Sequence, residues 1–155
     1  MNSIGILERN YTSSRLQLRV NNMQISLDRL DEAHRALLTE TKTLIETLTQ
    51  TLSSYVQDPT SNTLEALPVY LNELSGAALF LGSSAQQTAL LGAAHFAQHR
   101  LNQNEAIDAE QINCILNVVA GLDLLVDNLN NKQPVLQSMF DVALSSSQQL
   151  QNIAA

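Results

Sequence analysis

The chain has 155 residues, 45% of them hydrophobic but only 4% aromatic, with no Trp and a formal net charge of −7. That composition supports one domain with a core of Leu, Ala, Val and Ile. Eight Lys plus Arg cannot form the basic face that displaces phosphate counterions, so nucleic-acid binding is excluded and an anionic membrane surface is disfavoured.

Five Gly and three Pro supply few turns, so long elements with few connections are expected. Residues 1–12 show no period and read as a flexible arm. From Ser13, a plausible N-cap, steps of four and three run through Leu16, Val20, Met23, Leu27, Leu30, His34, Leu37, Thr41, Leu44, Leu48, Thr51 and Tyr55. This is a heptad seam. It predicts one very long helix or two, with a break at about 36–41 where His34 and Thr41 weaken the seam. The segment Asp58-Pro59-Thr60-Ser61-Asn62 is a turn, because Pro stops a helix and Asp, Ser and Asn suit caps.

The next helix spans about 63–81, its stripe being Leu64, Leu67, Leu71, Leu74, Ala78 and Leu81. Pro68 is tolerated in its first turns. Gly82-Ser83-Ser84 ends it, with Ser84 as the cap of a helix over 85–102 whose inward residues are Leu90, Leu91, Ala94 and Leu101. Asp108 caps a helix over 109–130 carrying Ile112, Ile115, Leu116, Val119, Leu122, Leu125, Val126 and Leu129. Cys114, the only cysteine, forms no intrachain disulfide and reads as a small core hydrophobe. Pro134 starts a last helix through Leu136, Phe140, Val142, Leu144 and Leu150. No period-two alternation occurs, so the chain is all-α.

No charged n-region with an apolar h-region opens the chain, and no apolar run approaches the roughly 18 residues of a membrane helix. The expectation is a cytoplasmic protein without membrane insertion. The abrupt, uncharged ending Gln151-Asn152-Ile153-Ala154-Ala155 suits one domain cut from a longer chain.

Candidate chemistry is sparse. His95 and His99 are four apart on one helix face, but no further ligand joins them at metal-site spacing, so no metal is expected. His34 reads as a seam residue that sets register. The carboxylates are scattered as on a solvated face. No phosphate-binding glycine loop, Ser-His-Asp set or His-Glu-x-x-His motif is present. No catalytic residue and no cofactor are expected, and the chain does not read as an enzyme.

One stretch carries more information. Asn72-Glu73-Leu74-Ser75-Gly76-Ala77-Ala78-Leu79-Phe80-Leu81-Gly82 resembles the active segment of the histidine phosphotransfer family, H-x-L-K-G-x-A-x-x-L-G. Asn72 stands in place of the phospho-accepting histidine and Ser75 in place of the helper lysine. An amide nitrogen is not basic and cannot replace imidazole as a nucleophile. The resemblance covers about 38–130. Tyr55-Val56-Gln57-Asp58-Pro59-Thr60 and Ile115-Leu116-Asn117-Val118-Val119-Ala120-Gly121-Leu122 further resemble the N-terminal phosphotransfer-like units of the twitching-motility proteins FimL and ChpA (PilL), a group in which several units lack the histidine.

The resemblance implies a four-helix phosphotransfer-type bundle over 38–130; the extra N-terminal helix expected over 13–37 departs from the family pattern, and a C-terminal helix is expected over 131–155. It also implies an inactive pseudo-phosphotransfer domain, acting as an adaptor or scaffold in two-component or type IV pilus signalling. Its expected partner is a receiver domain or a pilus-signalling protein. The partner-binding face expected is Asn72, Ser75, Gly76 and Ala77, with Glu73 and Leu79 at its edges, opposite Leu71, Leu74 and Ala78. The alternative is a helical scaffold that forms a homodimer through the 13–57 seam.

Overall fold

The computed structural model describes residues 31–59 and 62–154, and it divides the chain into two compact units, Met1–Leu37 and Leu38–Ala155. The expected arm over 1–12 and the seam over 13–30 lie outside the described residues. The described residues are all-α, without a strand. Helix α1 covers 31–57 without interruption, so the break considered at 36–41 does not form; no Gly or Pro lies there to make one. A 3-10 turn, Asn62–Ala66, leads into α2 (Leu67–Phe80), followed by α3 (Ser84–Asn102) and α4 (Ala109–Asn130). A second 3-10 turn, Gln137–Phe140, opens α5 (Asp141–Ala154).

In the second unit, the α1 seam buries Leu38, Thr41, Ile45, Leu48, Leu52 and Tyr55. Every second seam position is therefore one residue later than the predicted Leu37, Leu44 and Thr51, which are only half-buried. Both registers alternate threes and fours; the fuller apolar set, with Ile45 and Leu52, takes the core. Outside, Thr43, Thr47 and Thr51 donate their hydroxyls to the carbonyls of Thr39, Thr43 and Thr47, one turn back. Among the polar contacts that tie α1 to the rest of the unit are these. Lys42 Nζ donates to Asp123 at 2.6 Å and Asp127 at 3.1 Å on α4. The Tyr55 hydroxyl accepts from the backbone N–H of Ile107 at 3.2 Å, in the α3–α4 connection.

The predicted α2 stripe is buried at all six positions, from Leu64 to Leu81. The α2–α3 turn shows why. Gly82 has φ +92, and its N–H donates to Leu79 O while Ser83 N–H donates to Ala78 O. These two bonds close the helix and require a left-handed residue between them. Asn104 (φ 54) and Lys132 (φ 53) take the same position after α3 and α4. The cap of α3 is Ser83, whose hydroxyl accepts from Gln86 N–H at 3.1 Å, rather than Ser84, because the chain leaves the turn one residue earlier than expected. Asp108 caps α4 as expected, in a reciprocal pair with Gln111.

On α3 the inward set is Gln86, Ala89, Leu90, Ala93, Phe96 and Ala97. Ala94 is buried as expected, Leu101 is half-buried and Leu91 is exposed. At about 100° per residue, Ala89, Leu90, Ala93, Ala94, Phe96 and Ala97 share one arc of the helix, and Leu91 falls outside it. Cys114 is buried on α4 with Ile112, Ile115 and Val118. α4 is long and apolar enough to cross a membrane by length and composition, which corrects the expectation that no run approaches that length. About half of that apolar window is buried within the bundle. α3 packs against α2 on one side, and α5 packs against both α3 and α4. Leu136 and Val142, predicted on the last helix, are exposed, whereas Phe140 and Leu150 are buried.

Candidate functional site

The motif residues fall along α2, and five of the six remain open to solvent. Asn72, Glu73, Gly76 and Leu79 are exposed and Ala77 is half-buried. Ser75 is the exception: it is 4% exposed, and its hydroxyl donates to the Asn72 carbonyl at 2.6 Å. The expectation that Ser75 shares a face with Asn72 is therefore corrected. Four residues after Leu71 and one after Leu74, it must turn toward the core with them. Its hydroxyl is occupied within its own helix and cannot serve as a surface group.

Gly76 lies at the middle of this face. A Cβ built there meets nothing within 4 Å, so no neighbour among the described residues calls for glycine at this point. Around it the surface is apolar: Val69, Leu79 and Phe80 are 55%, 54% and 67% exposed. Val69 and Phe80 were not among the expected site residues. Their signal was spacing, since Val69, Asn72, Glu73, Gly76 and Phe80 follow steps of three, one, three and four along one helical face. No Lys, Arg or His occurs between Lys42 and His95, so the charge carried by this face is that of Glu73.

Other candidates are accounted for elsewhere. His95 is exposed and His99 half-buried on α3, and the described residues contain no group of three His, Cys, Asp or Glu that would hold a metal ion. Arg100 pairs with Glu105 and sits 5.3 Å from the Phe96 ring centroid. A cleft of about 350 Å³ opens between the start of α4 and the end of α5, lined by Asp108, Glu110, Cys114, Gln149 and Ile153 among others. Burial, and then the carboxylates of Glu110 and Asp108, push the Cys114 thiol above its ordinary pKa. It stays protonated and donates to Gln149 Oε1 at 3.3 Å, so it is not poised as a nucleophile.

No curated protein and no solved structure matches the chain. A family model, FimL C-terminal domain, matches residues 28–147. The FimL resemblance is thus placed on that protein's C-terminal domain rather than on its N-terminal units. The match spans most of the chain, including α2 and its exposed face, and the chain belongs to the FimL C-terminal domain family.

Proposed function

We propose that this domain is a catalytically inactive, phosphotransfer-like adaptor that binds a protein partner through the outer face of α2, in type IV pilus and twitching-motility signalling. The observation that carries the reading is Gly76: a glycine at mid-helix, with open space where its Cβ would stand, lets a partner approach the backbone closely. The exposed Val69, Leu79 and Phe80 supply the apolar contact, and Asn72 and Glu73 a polar edge. A receiver domain or a pilus-signalling protein with apolar surface beside a cation is the partner that fits. The absence of an imidazole at position 72 and the inward hydroxyl of Ser75 remove the groups that phosphotransfer chemistry needs, so the domain acts by binding.

Self-association through the α1 seam gains no support from the described part of that seam. Leu48 and Leu52 are fully buried within the unit, so these two positions are not open to a second chain.

The test is affinity capture from bacterial lysate with the wild-type domain and with Gly76→Arg, followed by identification of the bound proteins. A response regulator or pilus-signalling protein retained by the wild type and lost from Gly76→Arg is the expected result. Identical partners from both, with the variant still folded, would sink the docking face.

A further inference from the structure

Three carboxamides line the cleft between the start of α4 and the end of α5, and each has spent its oxygen. Gln111 Oε1 accepts from the Asp108 N–H at 3.1 Å, in the capping box of α4. Gln149 Oε1 accepts from Cys114 Sγ at 3.3 Å, and Asn152 Oδ1 accepts from Gln148 Nε2 at 3.0 Å. None of the three amide nitrogens has an acceptor among the described residues. Gln149 and Asn152 are exposed, so water meets their nitrogens at the rim. Gln111 differs, because it is only 8% exposed. Its Nε2 is unpartnered without being sealed from solvent, so it faces the cleft that Gln111 lines. A donor in that position is satisfied only by what enters the cleft. The charge of the lining comes from Asp108 and Glu110, with no Lys, Arg or His among the lining residues. Both carboxylates act on the Cys114 thiol in the same wall, adding to burial in keeping it protonated. An anion is therefore repelled, and a simple amine leaves the Gln111 donor unmet.

We propose that this cleft binds a small α-amino amide: its ammonium lies against Asp108 and Glu110, its carbonyl oxygen accepts from Gln111 Nε2, and its side chain covers Ile153. The capping box supplies the match. Asp108 Oδ1 accepts from the Gln111 N–H at 2.8 Å while Gln111 Oε1 accepts from the Asp108 N–H, which locks a carboxylate and an amide donor side by side. An α-amino amide carries an ammonium and a carbonyl side by side in the same way. Ile153, 49% exposed, gives the apolar wall. A volume of about 350 Å³ is at the small end of ligand sites and suits a molecule the size of one residue. A free amino acid fits worse, because its carboxylate meets the carboxylates of the protein. The same chemistry occurs at the N-terminus of a peptide. The site is on different elements from the face proposed on α2 and does not depend on it.

The test is a titration of the full chain with L-leucinamide, followed by amide NMR shifts at about pH 6.5, where the ammonium is formed. Saturable shifts centred on Cys114 and on the side-chain amides of Gln111 and Gln149 are expected, with a Kd of about a millimolar. 3-Methylbutylamine, which lacks the carbonyl, should bind about fivefold more weakly. N-acetyl-leucinamide, which lacks the charge, and leucine, which adds a carboxylate, should also bind more weakly than leucinamide. Gln111→Glu keeps an acceptor for the capping box but removes the donor, so leucinamide should lose its advantage over the amine. Glu110→Gln, at an exposed position, should weaken leucinamide about threefold, and less in molar salt. Leucylglycinamide separates the two sources of the chemistry: tighter binding than leucinamide assigns a peptide N-terminus, weaker binding a free amino-acid amide. Three results overturn the proposal: no saturable shifts with leucinamide, shifts centred away from the cleft, or equal binding of leucinamide and the amine to the wild type.

Discussion

Gln86 Nε2 on α3 donates to the carbonyl oxygen of Val118 on α4 at 2.6 Å, in a site from which water is fully excluded. The other end of the same amide, Oε1, meets no donor and lies where a Cβ on Gly121 would stand. One bond is made and one acceptor is stranded. Since a helical carbonyl already accepts from the residue four further on, the Val118 oxygen is not orphaned if Gln86 is replaced.

Gln86→Met should therefore stabilise the fold by about 1 kcal/mol, because the desolvation cost of the stranded oxygen outweighs one net hydrogen bond. Gln86→Ala should destabilise it by about 2–3 kcal/mol through the cavity it leaves. Urea unfolding of both variants decides the matter. A Met variant weaker than the wild type would mean that the amide is satisfied after all.

The glycines of α2 and α4 should respond oppositely to alanine. Gly76→Ala places its methyl in open space and should add about 1 kcal/mol from helix propensity alone. Gly121→Ala must displace the buried Gln86 amide and press on Ala143 Cβ, 3.0 Å away. It should cost about 1–2 kcal/mol after the propensity gain is subtracted. Thermal melts of the two variants, run side by side, should move in opposite directions.

Tyr55→Phe removes the hydroxyl that accepts from the buried N–H of Ile107 and leaves that donor unpaired. A loss of about 1–2 kcal/mol is expected. Amide exchange at Ile107 should quicken as well. Unchanged exchange there would show that water takes over the bond.

Lys42 bridges Asp123 and Asp127, whose carboxylates lie one turn apart on α4. Hydrogen bonds to Asp123 and then Asp127 raise its pKa above the ordinary lysine value. With the folded-state value raised, this stabilisation is complete below the ordinary lysine pKa and is lost as pH climbs through the raised one. The side chains are more than a third exposed, so solvent screening limits the effect. Lys42→Met should cost no more than about 1 kcal/mol at neutral pH. The difference from wild type should shrink in molar salt and again at strongly alkaline pH. A salt-independent loss would assign the effect to packing of the lysine stem instead.

Local chemistry in the sequence by itself determined the helical class, the turn at Pro59, the stop at Gly82 and the Asp108 cap. Each rests on a residue and its near neighbours: a missing N–H, a left-handed φ, a carboxylate one turn from an N–H. The six-residue stripe of α2 was legible for the same reason, since its period admits one face. Where two overlapping faces both offered an apolar period, the choice between them was read only from the packed structure. α1 buries Ile45 and Leu52 rather than Leu44 and Thr51, and α3 turns Leu90 inward and Leu91 outward. Ser75 followed Leu71 into the core, which narrowed the candidate face, while Val69 and Phe80 widened it. The seating of α5 on α3 and α4 was beyond any local signal. It depends on Gly92 and Gly121, two glycines on different helices that tertiary packing brings beneath one helix.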